Sequence, residues 1–387
     1  MDYYCSTKFT DLHVHVQGRM LYNCCMAYPE RVSIDWLEKN PGKLFHTDTM
    51  VADRKLMLEN KSCASCHHGC YKHEEKGILS ARQQQEQNAN ITDVNAPLQH
   101  LQISLSTDCN LTCMYCGPEW STSWHKNIEA NGPHKLKDFT LENTNFTKLW
   151  SKMKQKSRSS DSTFFKLLLK EIALSNDLKR ITLLGGEPLL NNKIDDLITQ
   201  ADGREITIVT GLGVSNTRLA KILKAVRNKN INFNVSAEAT GRHFELLRAG
   251  VRWQDFKDRV AMISDNGHSV EFDSTISNIS VFDFTNFLEF YGKHYKVNVN
   301  TMTERPFLMP HVLDQKSKET FIMEANANSH SKQLQDVRNL IGVDANDDDR
   351  RNIGAYLQQF ASRRSIDIGF LPEHFREWCL VDITNNL

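Results

Sequence analysis

Three cysteines stand in the run Cys109-Asn110-Leu111-Thr112-Cys113-Met114-Tyr115-Cys116. Thiolates spaced C-x3-C-x2-C on one loop can hold three corners of an iron–sulfur cubane. A [4Fe–4S] cluster has four irons to ligate, so one is left open to an outside molecule. A structural zinc site is the alternative, but it is normally closed by a fourth Cys or His nearby. His125 follows without ligand-pair spacing. A second group, Cys63-Ala64-Ser65-Cys66-His67-His68-Gly69-Cys70, lies upstream together with Cys5, Cys24 and Cys25. Cys63-x-x-Cys66-His67 has the spacing of covalent haem attachment. That modification belongs to exported proteins, and Met1-Asp2-Tyr3-Tyr4-Cys5 is not expected to open an export signal. A zinc ribbon using His67, His68 and His73 is a further reading of this group.

Composition narrows the field. The chain has 387 residues and ten cysteines, and beyond Cys116 only Cys379 remains. It is 40% hydrophobic and 24% charged, the make-up of a soluble globular protein with a sizeable core. Lys+Arg and Asp+Glu both number 47, giving zero net charge. This balance, with no Lys/Arg stripe, argues against a partner that is a long nucleic acid, whose binding takes several phosphate contacts. No apolar run approaches the ~18 residues of a membrane span. A cytoplasmic protein is expected, in which clustered cysteines serve metals rather than disulfides.

The elements that must position these groups follow from periodicity. Leu12-His13-Val14-His15-Val16 alternates and runs into Gly18, a strand entering a turn. His13 and His15 share one face of it and read as surface residues or as residues that back a ligand rather than as ligands. Arg54–Leu58 reads as a short helix and residues 83–90 (QQQEQNAN) as a polar linker. From about Pro97, strands are predicted at Leu101–Leu105, Arg180–Leu184, Glu205–Val209, Ile231–Ser236, Ser269–Thr275 and Lys296–Asn300. Helices are predicted between them at Thr163–Leu174, Thr217–Val226, Phe256–Ile263 and Phe282–Tyr291. Such βα alternation argues for a parallel sheet or an incomplete barrel. The tail carries helices near Ser331–Leu340 and Asn352–Ser362, and the acidic run Asp347–Asp349 reads as a solvated loop.

The loop CNLTCMYC, with an aromatic residue before its third cysteine, resembles the cluster loop of the radical S-adenosylmethionine (radical SAM) superfamily. Gly185-Gly186-Glu187-Pro188, after a strand, resembles that superfamily's GGEP motif. Glycines allow close backbone approach there, and Glu187 can receive the ammonium of SAM. Ser236 at a strand end and Arg248 twelve residues later are similar to a family pair that contacts the ribose or carboxylate of SAM. Arginine suits a carboxylate through its planar fork. Glu238 stands where relatives often have Asp, and Thr210-Gly211 where they often have Thr-Asn. Cys70-Tyr71-Lys72-His73-Glu74, with Gly77, Ser80 and Arg82, resembles the tail of a twitch or SPASM auxiliary cluster domain, here placed before the barrel. Cys5, Gly18 and Cys24-Cys25 look like its first half. Which of Cys24, Cys25, Cys63 and Cys66 join Cys5 and Cys70 stays open.

The resemblance implies an α/β fold: a partial (β/α)6 TIM-like barrel over 93–310, preceded by a small cysteine-rich cluster domain over 1–92 and followed by a helical extension over 311–387. It implies cluster ligands Cys109, Cys113 and Cys116, and SAM contacts from Tyr115, Gly185, Gly186, Glu187, Pro188, Ser236 and Arg248. The cofactors would be a [4Fe–4S] cluster with an open iron, SAM, and an auxiliary [4Fe–4S] or [2Fe–2S] cluster. The partners would be a one-electron reductant of flavodoxin or ferredoxin type and a substrate whose hydrogen is abstracted. A peptide or protein side chain is the expected substrate, with a sugar or nucleotide small molecule as the alternative. From another class, a zinc- or cluster-stabilised binding protein with a degenerate barrel remains. No catalytic acid or base can be named.

Overall fold

Alternation of period two sets the strands. In a computed structural model, the described residues are 2–24, 26–75, 77, 80–84, 91–138, 160–201, 203–302 and 305–380. Nine strands occur among them: β1 (Asp11–His15), β2 (Met20–Tyr22), β3 (Glu30–Arg31), β4 (His100–Ser104), β5 (Arg180–Leu184), β6 (Glu205–Thr210), β7 (Ile231–Ser236), β8 (Ser269–Ile276) and β9 (Lys296–Thr301). The longer helices are α1 (Asp48–Leu58), α2 (Thr122–Asn131), α3 (Ser160–Leu174), α4 (Lys193–Gln200), α5 (Asn216–Ala225), α6 (Gly241–Leu247), α7 (Trp253–Asp265), α8 (Gln315–Ala327), α9 (Lys332–Leu340), α10 (Asp347–Ser362) and α11 (Glu373–Leu380). The result is an α/β fold with mostly parallel strand pairing, as the βα alternation predicts. Cys25 and residues 85–90 of the expected linker lie outside the described residues.

Two compact units emerge. The first comprises Met1–Ser106, Ser151–Ile208 and Asn228–Ile231. Its strands run in the order β3-β2-β1-β4-β5-β6. β1 pairs antiparallel with β2 and parallel with β4, so His15 lies opposite Ser104. The β1–β2 turn bends through Gly18 at φ 97°. His13 and His15 are buried here, not at the surface, and Tyr22 packs edge-on against both rings. Alternation alone could not reveal this, because a strand with neighbours on both sides hides polar and apolar faces alike.

The second unit comprises Thr107–Trp150, Val209–Arg227 and Asn232–Leu387. Its parallel strands run β7-β8-β9, with Ser236 opposite Asp273 and Asp273 opposite Asn298. Phe233, Val235, Val270, Phe272 and Val297 are buried, and α7 contributes Phe256, Val260 and Ile263 to the same core. The stretch expected as one helix at Phe282–Tyr291 is helical from Phe284 to Gly292, beginning as an α-turn, Phe284–Phe287, and continuing as a π-turn, Leu288–Gly292. Asp347–Asp349 is the first turn of α10 rather than a loop. Asn346 caps it through the amide of Asp349, and three carboxylates suit the positive end of a helix dipole. Among the described residues, no helix is long and apolar enough to cross a membrane.

Candidate functional site

The cysteine loop is built so that its backbone carbonyls are taken by donors from the surrounding protein. Ser121 caps α2 by accepting from the Trp124 amide, and its hydroxyl donates to the Leu111 carbonyl at 2.7 Å. The Trp124 indole, fully buried, donates to the Cys113 carbonyl at 2.9 Å. Thr122 donates to the Cys109 carbonyl at 3.0 Å. Arg305 reaches the Met114 carbonyl at 2.9 Å and also donates to that of Cys116, while the Tyr356 hydroxyl adds a second bond to Met114. The loop also pairs with the end of α6, Thr112 and Met114 donating to the carbonyls of Ala249 and Leu247 at 2.8 Å each. Gly250, at φ 117°, passes so close that a Cβ there would sit 3.0 Å from the Asn110 carbonyl.

The thiols of Cys113 and Cys116 stay protonated unless something cationic takes them. Burial pushes the Cys113 thiol up, with the Arg248 charge pulling the other way. Burial and then the neighbouring Cys113 and Cys109 push up that of Cys116. A bound metal inverts this balance, because a coordinating thiol is deprotonated outright. Among the described residues, no three His, Cys, Asp or Glu side chains converge closely enough to hold one metal ion. A cubane asks for less convergence, since each thiolate takes its own iron.

Beside the loop lies a buried polar trio. Glu238 accepts from the Tyr115 hydroxyl at 2.9 Å and from Arg248 at 2.7 Å, and the guanidinium lies 5.1 Å from the centre of the Tyr115 ring. Burial alone would lower the Arg248 pKa, but Glu238, Tyr115 and Cys113 together raise it. One nitrogen is left over: Arg248 Nε is buried with no acceptor among the described residues. An orphaned donor facing an anionic partner is what a carboxylate ligand would satisfy. Two buried thiols, the half-buried one of Cys116 and this donor fit a cluster-bound SAM. Ser236 ends β7.

Gly185-Gly186-Glu187-Pro188 belongs to the first unit. Gly185 adopts φ 140°, and a Cβ there would meet the Ser106 carbonyl at 2.7 Å, so only glycine is accommodated. The Gly186 amide donates to that carbonyl at 2.9 Å. Glu187, buried, accepts from the Leu189 amide at 3.2 Å, and Pro188 opens a 3-10 turn.

The N-terminal cysteines also gather in the first unit. Cys5, Cys63 and Cys66 share a buried cluster with Phe9, Met57 and Tyr71. The Cys70 thiol acts on Cys5, and those of Cys63 and Cys24 on Cys66. Lys8, almost wholly buried, is paired with Asp53 at 2.8 Å and donates to Ser65 at 2.6 Å. The Cys63 pKa falls to about 6, through its hydrogen bond with Cys66 and then the Lys8 charge. Glu74 accepts from Ser80 at 2.6 Å and from Arg82, whose other nitrogen reaches the Tyr4 carbonyl at 3.0 Å. Thus Glu74, Ser80 and Arg82, singled out by spacing, form one buried knot. His67 and His68 are exposed, and His68 leans on the Tyr28 ring.

Sequence reasoning missed Trp124, Arg305, Tyr356 and Arg364, the last donating to the Thr112 hydroxyl at 2.8 Å. Only the Ser121 cap gave a local signal for α2. The other contacts cross about 190 to 250 residues of chain.

Residues 103–291 match the radical SAM superfamily. No curated protein sequence matches the chain. Among solved structures, the chain is similar to anSMEcpe with bound AdoMet at 12% identity and a TM-score of 0.41, covering 62% of this chain and 63% of that one. It is similar to Streptococcus suis SuiB bound to precursor peptide SuiA at 15% identity and a TM-score of 0.36, covering 83% and 70%. For Streptococcus suis SuiB alone the values are 13%, 0.38, 88% and 76%. The chain thus spans under two thirds of the length of anSMEcpe. The stretch from 103 to 291 that matches this superfamily holds the three-cysteine loop, the Gly185–Pro188 turn and the Glu238–Arg248 pair.

Proposed function

We propose that the protein is a radical SAM enzyme, with Cys109, Cys113 and Cys116 as ligands of a [4Fe–4S] cluster whose fourth iron receives SAM. The observation that carries this reading is a loop of three cysteines whose carbonyls at 109, 111, 113, 114 and 116 are all hydrogen-bonded to protein, which fixes the frame from which the thiols project. A cluster bound there supplies one electron, received from a flavodoxin- or ferredoxin-type carrier, for cleavage of SAM to methionine and a 5′-deoxyadenosyl radical that takes hydrogen from substrate. The chain's own part is to hold and orient. Arg248 Nε offers a bond to the carboxylate of SAM, Ser236 to its ribose or carboxylate, and the Gly185–Glu187 turn to its ammonium. Tyr115 and Glu238 keep the Arg248 guanidinium in place. The substrate in this reading is a peptide or protein side chain, and the compartment the reducing cytoplasm. The thiols of Cys5, Cys24, Cys25, Cys63, Cys66 and Cys70 are the pool for an auxiliary cluster.

The test is anaerobic reconstitution with iron and sulfide, followed by incubation with SAM and dithionite. A brown protein that forms 5′-deoxyadenosine supports the reading. A colourless protein with about one zinc per chain and no cleavage of SAM favours a metal-stabilised binding protein instead. Lysate fractions separated by size then address substrate. Stimulation confined to the protease-sensitive fraction supports a peptide or protein, and stimulation by small metabolites alone overturns that part.

A further inference from the structure

The sheet β7-β8-β9 has two unlike faces. One buries Phe233, Val235, Val270, Phe272 and Val297. The other carries Asn232, Asn234 and Ser236 from β7, Glu271 and Asp273 from β8, and Asn298 from β9, all half-buried. Parallel strands are ordinarily apolar on both faces because both are covered. A face polar from end to end needs polar partners to match it.

Asp273 sits at its centre, between Ser236 and Asn298 in register. Its carboxylate accepts from Asn234 Nδ2 at 2.6 Å and from Asn298 Nδ2 at 3.2 Å. Among the described residues no cation pairs with it. Lys296, the lysine of β9, goes to Glu271 at 3.0 Å. Burial raises the Asp273 carboxyl despite both amide donors and the field of Lys296, with Glu271 adding to the rise. Two further acceptors are unanswered: the carboxamide oxygens of Asn232 and Asn234 are buried without a donor among the described residues. The face therefore has acceptors in surplus among the described residues and one carboxylate with no cation in direct contact.

We propose that this face binds the substrate, and that the substrate presents a cationic nitrogen, an ammonium or guanidinium, to Asp273. Asn232 and Asn234 accept from neighbouring N–H groups of the same substrate. This rests on the radical SAM reading in one respect: Ser236, opposite Asp273, is there assigned to SAM, which sets the cation beside the reacting centre.

The experiment is calorimetric titration of the reconstituted protein, with SAM present and at low salt, by three capped pentapeptides. These are Gly-Gly-Lys-Gly-Gly, its acetyl-lysine form, and Gly-Gly-Glu-Gly-Gly. The lysine peptide is expected to bind roughly tenfold or more tighter than the other two, as befits one charge-assisted hydrogen bond. Asp273→Asn is expected to erase that preference. Should the variant fold poorly, the three peptides on the unaltered protein decide alone. No binding of the lysine peptide, equal binding of its acetylated form, preference for the glutamate peptide, or a preference that survives in Asp273→Asn each overturns the proposal. Formation of 5′-deoxyadenosine by the unaltered protein without peptide, measured in parallel, tests the cleavage reading separately.

Discussion

Arg248 and Glu238 meet at 2.7 Å with side chains 6% and 0% exposed, a buried ion pair packed against the cysteine loop. Breaking one side of such a pair leaves a charge without water or partner. Glu238→Ala should therefore cost ~3–5 kcal/mol in urea unfolding, whereas Glu238→Leu combined with Arg248→Met should lose much less. Equal losses for the single and double variants would contradict the isolation of the pair.

Arg248 also bears on SAM. Removing one charge-assisted bond to a carboxylate costs ~1.5–3 kcal/mol, so Arg248→Ala should weaken SAM binding by roughly 10- to 150-fold. Equilibrium dialysis of the reconstituted protein reads this directly. An unchanged dissociation constant would make Arg248 purely structural.

The thiols of the loop are separable from those near the N-terminus. Replacing Cys109, Cys113 and Cys116 with Ala should abolish formation of 5′-deoxyadenosine while iron and sulfide persist at the Cys5–Cys70 group. Complete loss of iron from that variant would show that the N-terminal thiols hold no cluster of their own.

Arg305 ties two loop carbonyls with one side chain. Arg305→Met should raise amide exchange across 112–117 by roughly tenfold or more, the opening expected when a charged hydrogen bond worth ~1.5–3 kcal/mol is lost. Exchange confined to wild-type rates would mean that Tyr356 and Trp124 suffice.

His13 makes the first unit sensitive to acid. Burial, and secondarily the His100 charge, lowers its pKa from 6.5 to about 4. The unfolded chain thus takes up a proton below 6.5 that the folded one refuses until about 4. Stability is full above 6.5 and falls as pH drops through that window, by up to about 3 kcal/mol at 1.36 kcal/mol per unit. His13→Gln should flatten that part of the pH–stability curve, and an unaltered slope would count against this role.

Much of the fold could be read in advance because local pattern carries it. Arg180–Leu184 and Ile231–Ser236 were expected where β5 and β7 lie, since alternation persists for five or six residues. The Phe282–Tyr291 stretch was legible as helix, but its aromatics are apolar on every side, so periodicity could not show that the α-turn passes into a π-turn. Asp347–Asp349 misled because like charges repel in isolation, yet at a helix start the dipole welcomes them. At the site, the three cysteines were marked by spacing and Arg248 by the family resemblance, while Glu238, noted only as standing where relatives often have Asp, is the partner Arg248 holds. Arg305, Tyr356 and Arg364 had no sequence signal at all, for their role exists only once distant segments meet.

That last fact bears on how the protein is made. Tyr356, which fastens the Met114 carbonyl, comes 242 residues after it, and Arg364, which holds Thr112, comes 252 residues after it. At ~5–20 residues per second on the ribosome, the thiols are in the open for on the order of tens of seconds before their clasp exists. The frame that fixes the loop is thereby complete only once the tail has emerged, long after the cysteines themselves. A nascent chain stalled short of α10 carries every ligand and lacks the frame that sets them.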